Sequence, residues 1–169
     1  MKRVQARAAP PEVAERWMRE YGDGILRQCF LFLGDRGQAE DAAQETFVRA
    51  WRSYGSFQGG SSEKIWLTAI AANVCRNLLR SPWNRRRVDL SFLEDRPVTA
   101  EEPDDTVLQA VLSLPAKYRQ VVVLYYYREC STGEIAEMLG LPQGTVSVRL
   151  KRARERLKPM LKEWYDDGA

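Results

Sequence analysis

The chain of 169 residues has no histidine and only three cysteines, Cys29, Cys75 and Cys130. The cysteines are far apart and no Cys-x-x-Cys occurs, which argues against a zinc site and against histidine-based acid–base chemistry. Each cysteine reads instead as a small apolar residue on or near a helix face. Long apolar runs are missing too. The longest, Val121 to Tyr127, is far too short to cross a bilayer. The opening MKRVQARAAPP contains no stretch of signal-peptide length. A cytoplasmic protein that does not insert into a membrane is expected. No internal repeat is visible. Net charge is only +3, but its placement is uneven. Residues 1–87 carry 15 basic and 9 acidic groups, residues 88–105 carry 1 and 7, and residues 106–169 carry 10 and 7. Two basic modules thus flank an acidic strip. A hydrophobic fraction of 44 % suffices for a packed core in each.

The clearest signal lies in Ser131 to Leu157. Ser131 with Glu134 fits a capping box, and Ile135, Ala136 and Leu139 give the following helix an apolar face. Gly140 suits the left-handed residue that ends it, and Pro142 the first turn of the next helix. Val146, Leu150, Ala153 and Leu157 then recur at helical spacing. Ala136, Gly140 and Val146 have the spacing of a helix-turn-helix. From Arg149 to Lys162 there are seven Lys/Arg and one acid, Glu155, the pattern of a helix laid against phosphates. With Val146, Leu150, Ala153 and Leu157 inward, Thr145, Val148, Lys151 and Arg152 face outward, flanked by Ser147 and Arg149. Upstream, Thr106 to Leu112 forms a short helix, and Pro115 opens another through about Arg128. Val121 to Tyr127 has strand-like composition, but no second strand exists to pair with it, so it is assigned to the helix. Leu114, Tyr118, Val121, Val122 and Tyr125 form the supporting face.

In the first module residues 1–9 read as a mobile tail. Pro10 and Pro11 open a helix whose apolar stripe is Val13, Trp17, Tyr21, Ile25, Phe30 and Leu33, with Gly22 and Gly24 placed to bend or interrupt it. A second helix, about Gly37 to Tyr54, turns Ala39, Ala43, Phe47, Ala50 and Trp51 inward. Its polar side holds Asp41, Gln44, Glu45, Arg49 and Arg52, a solvated face unless a partner covers it. Gly55 to Ser62 is a flexible loop with one aromatic, Phe57, either a plain connector or a holder for an unstacked base. A third helix, capped by Ser61 or Ser62, runs to about Arg80, with Ile65, Trp66, Ala69, Ile70, Val74 and Leu78 toward a core. Lys64, Asn73, Arg76, Asn77 and Arg80 form its polar side. Basic residues, amides and the aromatics Trp66 and Trp83 interleave here, before Arg85-Arg86-Arg87, which suits nucleic acid better than a membrane. Val88 to Asp105 lacks periodicity and reads as a flexible tether.

Taken together, Asp41-Ala42-Ala43-Gln44-Glu45-Thr46-Phe47-Val48-Arg49-Ala50-Trp51, Trp66-Leu67, Ile70-Ala71-Ala72-Asn73, Leu114-Pro115, Tyr118-Arg119, Glu134-Ile135-Ala136-Glu137, Gly144-Thr145-Val146 and Arg152-Ala153-Arg154 resemble the extracytoplasmic-function group of bacterial sigma factors, over about residues 12–87 and 106–162. The resemblance implies an all-α chain of two small helical domains joined by a flexible acidic linker: sigma region 2 at 10–87, the linker at 88–105 and sigma region 4 at 106–162. It implies that Asp41, Gln44, Glu45, Arg49 and Trp51 bind the β′ clamp helices of core RNA polymerase, with the β flap as a further contact. Phe57, Lys64, Asn73, Arg76, Asn77 and Arg80 would handle the promoter −10 element, Phe57 lining a pocket for an extruded base. Thr145, Ser147, Val148, Arg149, Lys151 and Arg152 would read the −35 element in the major groove. Val148 stands where relatives often carry a small polar residue. The linker would lie in the RNA exit path, and an anti-sigma factor would hold the protein inactive. No catalytic residue, metal or cofactor is implied. Two other readings stay open on the residues alone. One is a helix-turn-helix repressor or activator with a helical sensor domain, although no dimerisation heptads are present. The other is a DNA-processing enzyme using Asp35, Glu40, Asp41 and Glu45 as metal ligands, acids that a solvated or interfacial helix face explains better.

Overall fold

A computed structural model describes residues 7–57, 59–81 and 105–161. All regular structure among these residues is helical, and the chain divides into two compact units, Met1–Arg87 and Val88–Ala169. The expected tether, together with Trp83 and Arg85-Arg86-Arg87, lies outside the described residues, except that Asp105 already opens a helix.

The N-terminal unit is built from α1 (Pro11–Leu33), α2 (Arg36–Arg52) and α3 (Glu63–Leu79), with a short 3₁₀ turn, Tyr54–Ser56, after α2. Each boundary has a local cause. Proline at the start of α1 needs no amide partner. Gly34, at φ +68°, ends it by donating its N–H to Phe30 O at 2.7 Å. Asp35 accepts from Gln38 N at 2.8 Å and caps α2, and Ser62 accepts from Ile65 N at 3.1 Å and caps α3. All three helices pack on one another around Trp17, Ile25, Cys29 and Phe32 of α1, Ala39, Ala42, Ala43 and Ala50 of α2, and Leu67, Ala71, Ala72, Val74 and Cys75 of α3. The many alanines let the axes approach closely. Buried Gln28 ties α1 to α3, its Nε2 donating to Thr68 O at 3.1 Å. The buried Thr46 and Thr68 hydroxyls donate to carbonyls four residues back.

This core departs from the expected stripes. Gly22 and Gly24 do not interrupt α1, and Phe32 is fully buried where Phe30 and Leu33 are only half so. Trp51 is 41 % exposed and Phe47 half-buried, because the inner side of α2 is the narrow alanine and threonine face that its neighbours can approach. On α3 the buried set is Leu67, Thr68, Ala71, Ala72, Val74 and Cys75; Ile65, Trp66, Ala69 and Ile70 sit at its margin. This helix has apolar residues on most of its circumference, so periodicity fits two stripes, and close packing selects the smaller side chains. Residues 7–9 are no tail: Ala9 is buried and donates its N–H to Trp51 O at 2.9 Å, and Gly55 N donates to Arg7 O at 2.9 Å.

The C-terminal unit contains α4 (Asp105–Ser113), α5 (Ala116–Val122), continued as a π-helical turn over Val123–Tyr127, α6 (Thr132–Leu139) and α7 (Gln143–Met160). Val121 to Leu124 are buried in succession, so the apolar run that looks like a strand is a helix enclosed on most sides. Tyr125 of the expected supporting face is only half-buried. The π turn is closed by Arg128 N donating to Val123 O at 3.0 Å. Ala110, Leu114, Tyr118, Val122, Ala153 and Leu157 form one apolar cluster joining α4, α5 and α7.

Candidate nucleic-acid interface

The two helices of the C-terminal motif are fixed by their ends. The Ser131 side chain accepts from Glu134 N at 3.1 Å, while the Glu134 carboxylate accepts from Ser131 N at 2.9 Å, the reciprocal capping box that the sequence predicts. Gly140 takes φ +63° and ends α6; Pro142 caps α7. Gln143 Nε2 donates to Thr132 Oγ1 at 2.9 Å and ties the start of α7 to the start of α6. Val146, Leu150, Ala153 and Leu157 are buried. The opposite side therefore presents Val148, 47 % exposed, with exposed Ser147, Lys151 and Arg152. Thr145 and Arg149 are half-buried on the flank that turns toward α5. Further along, Arg154 donates from Nε to the Tyr126 hydroxyl at 2.6 Å and lies over the Tyr125 and Tyr126 rings, so it braces α7 against the π turn.

Sequence reasoning missed what stands beside this helix. Lys117 of α5 lines a recess with Gly144, Thr145, Val148, Arg149 and Arg152. Its neighbour Tyr118 is buried, with Lys117 Nζ 5.0 Å and Arg156 Cζ 4.9 Å from its ring centre. Burial works to raise the Tyr118 hydroxyl pKa, but the nearby cations Arg152, Lys117 and Arg156 outweigh it and hold the group below its ordinary value. Arg119, half-buried, donates from Nη1 to Leu112 O at 3.1 Å and Leu114 O at 3.3 Å, bracing the turn between α4 and α5.

In the N-terminal unit the candidate −10 residues form two groups. Asn73, Asn77 and Arg80 are exposed along one side of α3, with half-buried Arg76 beside them. Lys64 is not among them. It lies nine positions before Asn73, and at about 100° per residue it points to the opposite, inner side of the helix. Phe57 is no isolated loop aromatic. Its ring lies 4.9 Å from that of Trp66, which lies 5.8 Å from Trp17, which in turn meets Tyr54 edge-on at 5.8 Å. Glu63 locks this chain of rings. It accepts from Arg16 Nη1 at 2.8 Å and Nη2 at 2.7 Å, and from Trp17 Nε1 at 2.8 Å. The hydrogen bonds from Arg16 hold the Glu63 carboxyl below its ordinary value against the opposing effect of burial, and Glu63 in turn raises the Arg16 guanidinium. Glu63, Arg16 and Tyr54 have no local sequence signature, since their partners are tens of residues away.

The expected polymerase face of α2 is outward. Asp41, Gln44 and Glu45 are exposed, and Arg49 Nε donates to Glu45 Oε1 at 2.9 Å. Trp51 borders an apolar groove between α1 and α2 with Ala14, Trp17, Met18, Phe47 and Val48. No cluster of metal-ligating residues occurs among the described residues.

Family models describing Sigma-70 region 2 and Sigma-70 region 4 match residues 17–86 and 104–157. The chain is 34 % identical over 160 residues to the ECF RNA polymerase sigma factor SigW of Bacillus subtilis, covering 85 % of this chain and 86 % of SigW. It is 32 % identical over 176 residues to the ECF RNA polymerase sigma factor SigL of Mycobacterium tuberculosis, covering 96 % and 97 %. The chain belongs to the extracytoplasmic-function group of the sigma-70 family. The fold of this sigma factor agrees. The RpoE chain solved with the anti-sigma factor NepR from Bartonella quintana superposes with a TM-score of 0.69, at 24 % identity over 89 % of this chain and 98 % of that one. CnrH, solved with the cytosolic domain of CnrY, gives 0.66 at 24 % identity over 92 % and 91 %. The region 2 match takes in the Trp17–Glu63 lock and the polar side of α3, and the region 4 match takes in α4 through most of α7. No helix among the described residues is long and apolar enough to cross a membrane.

Proposed function

We propose that this sigma factor binds core RNA polymerase and directs promoter-specific initiation by a two-point grip, with region 2 over residues 10–87, a linker over 88–105 and region 4 over 106–162. The observation that carries this reading is α7. One side is buried by four aliphatic residues, and the other exposes Ser147, Val148, Lys151 and Arg152 with half-buried Thr145 and Arg149 on its flank, a set suited to a major groove. Exposed apolar Val148 suits the methyl group of a thymine. Asn73, Arg76, Asn77 and Arg80 hold the opened non-template strand of the −10 element. Phe57 and Trp66 offer the ring surface on which an extruded base stacks. Asp41, Gln44, Glu45, Arg49 and Trp51 contact the β′ clamp helices, a polar rim beside an apolar groove, and region 4 meets the β flap. An anti-sigma factor blocks these surfaces until initiation is required. The protein positions and opens DNA and performs no bond chemistry of its own.

Run-off transcription with purified core polymerase on fragmented genomic DNA tests the reading. The expected result is discrete transcripts that core alone does not make, from start sites sharing two upstream elements. Failure of the folded chain to bind core polymerase in a pull-down would sink it.

A further inference from the structure

Lys117 belongs to neither the reading helix nor its turn, yet it faces the same recess as Thr145, Arg149 and Arg152. That recess measures about 370 Å³, room for a phosphate with water. Three cations line it and no acid does. None of the ion pairs found among the described residues, Arg16–Glu20, Arg16–Glu63, Arg36–Glu40 and Arg49–Glu45, involves any of the three. Like charges held together without counter-charge favour an anion from outside the chain. The first-turn amides of α7 add a favourable dipole.

We propose that this recess seats one backbone phosphate of duplex DNA, with Lys117 as a direct ligand. The proposal rests on the reading of α7 as a groove-binding helix and adds a contact from a second element. Lys117 lies over the ring of buried Tyr118, its Nζ 5.0 Å from the ring centre. A contact from α5 fixes the depth and register of α7 in the groove, because a helix held at one phosphate by a neighbouring element can no longer roll or slide. Lysine, a compact point charge on a flexible stem, suits a single phosphate oxygen better than a base edge.

The test is promoter binding by the reconstituted holoenzyme as a function of salt, on duplexes in which single −35 phosphates are replaced by neutral methylphosphonates. Lys117→Ala should reduce the salt slope by about one unit and weaken binding equally across −35 sequence variants. Lys117→Arg should restore the slope. One methylphosphonate that weakens the unmodified protein should have no further effect on Lys117→Ala. The proposal is overturned if the unmodified holoenzyme binds its promoter but Lys117→Ala keeps the full slope, or stays sensitive to every methylphosphonate. No promoter binding by the unmodified holoenzyme would instead overturn the two-element reading, and this contact with it.

Discussion

In the C-terminal unit, the six side chains proposed to read DNA stand on α7, which Pro142 opens, behind an α6 whose ends are set by residues within a few positions, Ser131 with Glu134 and then Gly140. In the N-terminal unit, the ring surface of Phe57 and Trp66 is held by contacts that span the chain from Arg16 to Trp66. The first arrangement is one rigid element, of the kind that the proposed groove binding carries whole into DNA. The second is a surface assembled from two helices and a loop, and it keeps its shape only while α1 and α3 stay together. That contrast matches the two proposed tasks. Reading a closed duplex needs a fixed spacing of side chains. Holding an extruded base needs a platform beside a loop.

Variants that attack the long-range lock should separate the units most strongly. Trp17→Ala removes a buried ring that also donates to Glu63, and it should destabilise the N-terminal unit by about 3–5 kcal/mol. Hydrogen exchange would show protection lost from α1 to α3 while α5 to α7 keep theirs; equal loss in both would break the comparison. Leu150→Ala is its counterpart in the other unit. It should cost about 2–5 kcal/mol there, and leave exchange in α1 to α3 unchanged.

Next in size is the Glu63 lock. Glu63→Gln keeps the shape but removes the charge that Arg16 and Trp17 address, and should cost about 1–2 kcal/mol at neutral pH. The sign of its pH dependence follows from the direction of the shift. The folded carboxyl sits below its ordinary value of 4.5, so its stabilisation is complete above that value and is lost as pH falls through the depressed folded value. Urea melts from pH 7 downward should show wild type and variant converging in acid; a constant gap would show that the charge is not what stabilises the lock. Ser131→Ala should have the smallest effect, about 1 kcal/mol, confined to the start of α6. A change in protection at α1 or α3 would show that the cap acts beyond its own turn.

The same contrast explains what the sequence made legible. The capping box, the left-handed Gly140 and the buried Val146, Leu150, Ala153 and Leu157 obey rules that act over one or two turns, and all stand as expected. All-helical organisation followed from the same periodicities. The inner side of α3 was misplaced because apolar residues surround it, and only the close approach of α1 and α2 chooses Ala71 and Ala72 over Trp66 and Ile70. Spacing of three or four joins Asn73, Arg76, Asn77 and Arg80 on one side, but the nine positions from Lys64 to Asn73 set those two on opposite sides of the helix. Glu63 occupies an ordinary first-turn position of α3, and nothing near it in the sequence announces Arg16 or Trp17. Lys117 escaped notice because it lies outside the basic run, on a helix read only as support.

The most direct test of the division of labour is permanganate reactivity of −10 thymines, measured per bound holoenzyme. Phe57→Ala should leave promoter occupancy near that of the unmodified protein, with the thymines largely unreactive. Arg152→Ala should lower occupancy, with normal reactivity in the complexes that do form. Normal strand opening by Phe57→Ala, or loss of opening per bound complex by Arg152→Ala, would contradict the two-point grip.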